Sequence, residues 1–270
     1  MDLLNPPRLD KRSVKKFFNR AAKSYDNAAI LHEELRNRLL QRLHYIRHQP
    51  ATIIDIGCGT GKSVEELHRV YPGARIFAVD LAIEMLRQVV TPGFRLFSKK
   101  RSIVADMERL PFAENSFDLL FSSLAMHWSL DPRVALKEFA RVARSEALLL
   151  FSSFGPGTLV ELADSWREID AYPHVHQFVD MHDIGDAMLA AGFAQPVVDA
   201  EIIRVEYQDF QSLLSDLKKT GVSNADVSRR RGLMTPGELK RLEQVYRERG
   251  FEDGKFIASY EVVYGHAWLS

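Results

Sequence analysis

The chain has a single cysteine, Cys58, which excludes an internal disulfide and fits a reducing compartment. No apolar run approaches the roughly eighteen residues of a membrane-spanning helix. The opening residues, with Pro6 and Pro7, carry no signal-peptide pattern, so the expected home is the cytoplasm. Lys plus Arg and Asp plus Glu each number 36, so no global field draws in nucleic acid or a membrane surface. Internal repeats, low-complexity tracts and a nucleophile–histidine–acid pattern are also absent. His174, His176 and His182 lie close together, but no cysteine or carboxylate joins them at zinc-like spacing. They read as surface-loop residues, and no metal is expected. The composition does allow a sizeable core, since 46% of 270 residues are hydrophobic. One large domain, or one domain with a cap, fits that length.

Residues 51–61 organise the rest. A short run rich in β-branched residues meets Gly57, Gly59 and Gly61, and a helical pattern follows over 62–71. Strand, tight glycine turn and helix open a nucleotide-binding α/β unit. Glycine is needed where the backbone turns sharply and approaches a ligand. Cys58, between two of them, reads as a small filler. The spacing G-x-G-x-G differs from the pyrophosphate-binding G-x-G-x-x-G. Asp55, two residues before the first glycine, would repel a pyrophosphate but suits a cationic or amino-bearing ligand. A second strand, 75–80, ends in Asp80, placed to accept hydrogen bonds from ribose hydroxyls. A third, 102–106, ends in Asp106, placed to meet an adenine amino group. Three glycines alone also fit an ordinary turn, and an NAD-type site is the rival for the whole pattern.

Along the chain, apolar residues at helical spacing predict helices over 11–27 and 29–47, in a segment richer in Lys and Arg than in acids. Helices are also expected over 82–90, 131–144, 158–170, 181–191, 210–220 and 236–249. Asp131 and Pro132 form a start signal, and Gly192 a stop. Further strands are expected over 119–124, 147–153, 197–207 and 256–269. Strands alternating with helices make this an α/β chain.

The Asp-x-Gly-x-Gly-x-Gly loop with its strand-end acids resembles the class I S-adenosylmethionine-dependent methyltransferases. That resemblance implies a Rossmann-like, seven-stranded, mostly parallel sheet in the order 3-2-1-4-5-7-6, with an antiparallel last strand and a helical cap. Residues 109–118 match the class before its fourth strand; residues 143–147 depart from its usual Pro-Gly-Gly turn. Residues 17–26 resemble a lid motif of several small-molecule methyltransferases, and residues 122–128, 156–166, 217–224 and 231–236 look like the malonyl-[acyl-carrier protein] O-methyltransferases of biotin synthesis. Members of that family methylate the free carboxylate of a malonyl thioester, and the ester is then extended toward a pimeloyl group. The resemblance implies residues 1–48 as a helical lid and 49–270 as a methyltransferase domain with cap insertions near 156–178 and 209–235. S-adenosylmethionine is the cofactor it implies, and S-adenosylhomocysteine the product.

The implied cofactor site is Asp55, Gly57, Gly59, Gly61, Asp80, Leu81, Asp106, Met107, Ser122 and Leu124, with Phe17 and Tyr25 from the lid. A carboxylate is ionised at neutral pH, so methyl transfer to it needs no general base. It needs an aromatic wall, for which Tyr25 and Trp128 are candidates, and a donor for the carboxylate, for which His127 or Arg20 stand. Each also fits a plain packing or surface role. Malonyl-acyl carrier protein or malonyl-CoA is the implied partner. Two basic clusters, Lys11, Arg12, Lys15 and Lys16, and Lys218, Lys219, Arg229, Arg230 and Arg231, are candidates to dock an acidic carrier. Alternatives are a methyltransferase for a free quinone precursor or fatty acid, and a non-catalytic S-adenosylmethionine-binding module. Oligomeric state is not legible in the sequence.

Overall fold

The chain enters its sheet through three helices. In the computed structural model, residues 9–89, 101–221, 224–230, 232 and 234–270 are described. Helix α1 (Lys11–Ala21) starts at Asp10, whose carboxylate accepts the Arg12 amide and the Ser13 hydroxyl. The expected helix to residue 27 breaks: the amide and hydroxyl of Ser24 both turn back to the Ala21 carbonyl, at 2.9 and 3.2 Å. A serine that bonds its own neighbouring backbone competes with helix propagation. A separate turn, α2 (Tyr25–Ala28), follows, then α3 (Ile30–Arg42). Phe17 and Tyr25 therefore do not share one helical face.

Helix α3 has three distinct faces. Leu35, Leu39 and Leu40 are buried against the sheet. Arg38 reaches Glu201 at 2.9 Å and Arg42 grips Asp199 at 2.6 and 2.7 Å, which fixes the helix lengthwise. His32 and Arg36, one turn apart, make the third face.

Five parallel strands follow: β1 (Thr52–Ile56), β2 (Arg75–Asp80), β3 (Ser102–Val104), β4 (Phe117–Ser123) and β5 (Ala143–Phe154). Between them run α4 (Lys62–Val70), the short α5 (Ile83–Leu86) and α6 (Pro132–Val142), the last capped by Asp131. The helix expected to residue 90 ends at Leu86, and residues 87–88 form a turn; residue 90 lies outside the described residues. The departing segment 143–147 is no separate turn. It is an irregularity in the β4–β5 pairing, with Glu146 at φ 62°.

The second half adds α7 (Val160–Arg167), α8 (Met181–Ala190), β6 (Phe193–Tyr207), α9 (Phe210–Lys219), α10 (Pro236–Gly250), a two-residue β7 (Phe251–Glu252) and β8 (Lys255–Leu269). Strand β8 runs antiparallel between β5 and β6, and the order is β3-β2-β1-β4-β5-β8-β6, with β7 paired only to β8. This is the Rossmann-like sheet the resemblance implied, plus the unforeseen β7. Strands buried on both faces read as continuous apolar runs. Leu119 and Leu148 pack on one face with Leu39 and Leu67; Leu120 and Leu149 pack on the other with Leu136 and Phe139. Among the described residues no helix is long and apolar enough to cross a membrane.

One contact tests this packing. Phe151 of β5 pairs with Gly265 of β8, and a Cβ on Gly265 would stand 2.3 Å from the Phe151 ring. Both strands are central, so neither backbone can move aside. Gly265→Ala should lower stability by about 1–3 kcal/mol, read as the urea midpoint with unchanged slope. An unchanged midpoint would show that the ring moves freely.

Candidate active site

The glycine loop sits at the C-terminal end of β1, where ligands bind in such sheets. All three glycines have positive φ, at 73°, 55° and 87° for Gly57, Gly59 and Gly61. A Cβ on Gly57 would meet that of Ala125 at 2.2 Å, whereas one on Gly59 would enter open space. That space is a cleft of about 780 Å³, partly open to solvent, floored by Ile56, Gly57, Gly59 and Val79. Asp80, Leu81 and Met85 form one wall, Asp106 and Met107 the far end, and Leu124 the opposite wall. Val14, Phe18, Tyr25 and Trp128 roof it.

Asp55 and Asp80 stand near the ends of β1 and β2, and of the two Asp80 lines the cleft. Asp55 is wholly buried, and neither carboxylate oxygen has a hydrogen-bond partner. Burial pushes its pKa up to about 8, the charge of Asp80 adds to this, and Arg36 and Ser63 oppose it. Asp80 accepts the amides of Gly59 at 2.9 Å and Ala82 at 2.7 Å. Each of its oxygens keeps a lone pair for a ribose hydroxyl. Desolvation still raises it to about 6, against the pull of those amides. Burial raises the Cys58 thiol, so it is an inert filler. These orphaned, repelling acids fit a ligand that brings positive charge and hydroxyl donors, as S-adenosylmethionine does.

The N-terminal helical segment is tied to the cleft. Lys11 bridges Asp106 and Glu108 at 2.6 and 2.7 Å, so the acid expected for the adenine amino group already carries a cation from α1. The Thr60 hydroxyl donates to Asp26 at 2.6 Å, and Asn19 accepts the Glu84 amide at 2.9 Å.

Not every expected residue reaches the cleft. Arg20 is exposed and lines neither this cleft nor the cavity beside it. Phe17 packs instead with the Leu9, Val14 and Ala225 cluster, and Phe18 takes its place in the roof. Ser122 is sealed between strands, donating to the Ile56 carbonyl at 2.9 Å, while its neighbour Ser123 lines the cleft. Gly61 starts α4 against Val89, and Asp55 acts from behind the loop. Tyr25, Trp128, Gly57, Gly59, Asp80, Leu81, Asp106, Met107 and Leu124 do come together.

Trp128 and His32 also line a second, inner cavity of about 490 Å³. Its walls include Phe154, Leu159 and Phe178, with His127 and His176. Leu217 and Thr220 close it, so the segments near 156–178 and 209–235 meet over the sheet. His176 is not a surface-loop residue: it donates to the His127 carbonyl at 2.9 Å and stacks on Trp128 at 5.6 Å. His174 stacks on Trp166 at 3.6 Å and bonds Asp170 at 2.8 Å. Among the described residues no group of three metal-ligating side chains forms. Sequence reasoning missed His32, Phe18 and Lys11. His32 could have been noticed as a polar residue flanking the Leu31, Leu35 and Leu39 stripe.

The late basic cluster is used inside the fold. Arg229 donates to the Asp226 carbonyl at 2.8 Å and the Ser13 hydroxyl at 2.9 Å. Arg230 reaches Glu238 at 2.8 Å and Asp170 at 3.3 Å. Arg231 lies outside the described residues. Arg12, Lys15, Lys16, Lys218 and Lys219 are exposed.

Known proteins agree with this geometry. Residues 54–151 match the family described as "Methyltransferase domain". The YcgJ protein of Bacillus subtilis has the same fold, with a TM-score of 0.60 at 18% identity over 86% of this chain and 98% of that one. So has a phosphoethanolamine N-methyltransferase of Haemonchus contortus complexed with S-adenosylhomocysteine, with a TM-score of 0.60 at 15% identity, covering 95% of this chain and 60% of that one. Glycine loop, strand-end acids and sheet order thus define a class I S-adenosylmethionine-dependent methyltransferase. Relatives named malonyl-[acyl-carrier protein] O-methyltransferase are 43% identical in Halorhodospira halophila and 45% in Laribacter hongkongensis. Each match covers 96% of this chain, and 88% and 89% of the relative. The chain belongs to the malonyl-[acyl-carrier protein] O-methyltransferase family.

Two outcomes follow for the cofactor. Asp80→Ala should weaken S-adenosylmethionine binding by about 1–3 kcal/mol in calorimetry; undiminished affinity would remove Asp80 from the site. Because Asp55 and Asp80 have raised pKa values, the empty protein holds protons there that its unfolded chain has lost. Its stability should therefore fall as pH rises between about 4 and 8, whereas affinity for the cationic cofactor should rise as the same acids deprotonate, between about pH 6 and 8. Asp55→Asn should flatten both trends, and unaltered slopes would refute the assignment.

Proposed function

We infer that the chain transfers the methyl group of S-adenosylmethionine to the free carboxylate of a malonyl thioester on acyl carrier protein. The product is the methyl ester from which a pimeloyl chain, and so biotin, is built. The observation that carries this reading is identity above 40% with malonyl-[acyl-carrier protein] O-methyltransferases over 96% of the chain. That span includes the segments that wall the inner cavity.

When bound, S-adenosylmethionine supplies an electrophilic methyl on a sulfonium, which passes in line to a carboxylate oxygen as the C–S bond breaks. Phe18, Tyr25 and Trp128 supply the aromatic wall that suits a sulfonium. Phe18 meets Trp128 edge to face at 5.3 Å, so the wall is rigid. The reaction annihilates two opposite charges, so charge is more dispersed in its transition state than before it. An enclosed, apolar site penalises the separated charges more than that state. The acyl group enters the inner cavity, which meets the cofactor cleft at Trp128 and His32. Its carrier arm lies in the outer groove that shares Thr158, His176 and Phe178 with that cavity.

Helices α1 and α2 act as the lid, latched by Lys11, Asn19 and Asp26. The carrier docks on a basic rim. Since Arg229 and Arg230 bond within the fold, that rim is Lys15 and Lys16 with Lys218 and Lys219. A Cβ on Gly221, just after α9, would stand 3.2–3.4 Å from Phe18 and Ala21, so the two lysine pairs belong to neighbouring elements. Zero net charge and a buried lone cysteine favour a cytoplasmic enzyme that acts on neither nucleic acid nor membranes.

With labelled S-adenosylmethionine, malonyl-carrier protein and malonyl-CoA should gain label, while quinone precursors and free fatty acids should not. Label on free acids alone would overturn the substrate class. Changing Lys15, Lys16, Lys218 and Lys219 to Glu should raise KM for malonyl-carrier protein about tenfold or more, and far less for malonyl-CoA. Raised salt should mimic the change, since rim charges are screened over about 8–10 Å. Equal losses on both substrates would refute the docking site.

A further inference from the structure

The substrate's free carboxylate must sit where the inner cavity meets the cofactor cleft. Among its described lining residues the inner cavity has no lysine or arginine. Arg20, the cation expected there, is exposed elsewhere. An anion that enters must find donors of another kind.

Two rings are placed for this. His32 lines both cavities, and His127 lines the inner one. Both pack on Phe154, with ring centroids at 6.3 and 5.0 Å. In each ring Nδ1 is sealed in protein without a partner, and Nε2 is not among the sealed atoms. Leaving a lone pair unpaired costs less than leaving an N–H unpaired. The favoured tautomer therefore carries its proton on Nε2, on the edge open to the cavity. Burial lowers the pKa of both, His32 to about 4 and His127 well below the ordinary value. Both rings are neutral at pH 7 and present N–H groups without positive charge.

We propose that His32 and His127 form a two-donor clamp, through their Nε2–H groups, for the free carboxylate of the malonyl substrate. This rests on the malonyl reading above. Neutral donors suit the reaction better than a cation. A lysine or arginine would hold the full charge of the ground-state carboxylate more strongly than the dispersed charge of the transition state. The sulfonium itself supplies the countercharge. The clamp also explains acceptance of a dicarboxylate half-thioester over an uncharged acyl group of similar size. An acetyl thioester would leave both N–H groups buried and unpaired.

The test is binding in the presence of S-adenosylhomocysteine, which blocks turnover. The unaltered protein should bind malonyl-CoA at least about tenfold tighter than acetyl-CoA, the discrimination expected of buried hydrogen bonds to a charged group. His32→Leu and His127→Leu should each lose most of that preference by weakening malonyl-CoA alone. In His127→Leu, which alters the inner cavity and not the cofactor cleft, S-adenosylhomocysteine affinity should stay within about twofold, and His32→Asn, which keeps a donor, should recover part of the preference. A preference that persists in both leucine variants overturns the clamp while leaving the malonyl reading standing. So does a loss of S-adenosylhomocysteine binding in His127→Leu as large as that of malonyl-CoA. No preference in the unaltered protein overturns the malonyl reading and the clamp with it. Should His127→Leu fail to fold, the His32 pair decides alone.

Discussion

Two carboxyl groups stripped of water, at the ends of neighbouring parallel strands, set the terms for the rest of the molecule. Strands β1 and β2 pair from Thr52 with Arg75 to Ile56 with Val79, which places Asp55 and Asp80 on one sheet edge. There burial raises the cost of ionising both, and the charge of Asp80 adds to the cost for Asp55. The chain withholds hydrogen bonds from Asp55 and gives Asp80 only two amides. It accepts that cost where a cationic, hydroxylated ligand will relieve it. Gly57 and Gly59 then matter as absences, one where Ala125 leaves no room and the other where the ligand needs it.

Everything beyond the sheet manages water and charge around that edge. The entry helices are held by short polar ties to the loop and to the third acid, so closing the roof and presenting the acids are coupled. Among the described residues, Trp128 and His32 line both the inner cavity and the cleft. A reaction that destroys a pair of opposite charges runs best in such a place, walled largely by aromatic rings and neutral donors.

The sheet and cofactor floor were legible because each rests on local chemistry. Glycines must take positive φ at the turn, and acids at strand ends declare themselves by position. Strand order was legible through resemblance alone. The roof was not: Phe18 rather than Phe17 lines it and Arg20 faces solvent, because the packing of α1 on Ala82 and Met85 on one side and on Leu9 and Ala225 on the other decides which face turns inward. Ser122 and Ser123 differ only in which side of β4 they face, which a one-residue register decides. His32 and His176 were hidden because their role depends on elements far apart in sequence meeting over one hole. The arginines of the late segment looked like a docking patch; their partners, Ser13, Asp170 and Glu238, come from three separate stretches.

The central claim is that methyl passes to a carboxylate already ionised, with neutral histidines as donors and no group acting as base. It is tested most directly by the single-turnover rate of a preformed complex with cofactor and malonyl-carrier protein, followed across pH. The rate should be flat between about pH 6 and 8, since the substrate carboxylate and the lowered histidines all titrate below that range. A rate that climbs tenfold per pH unit there would mean a proton is removed in the chemical step, and would contradict this mechanism.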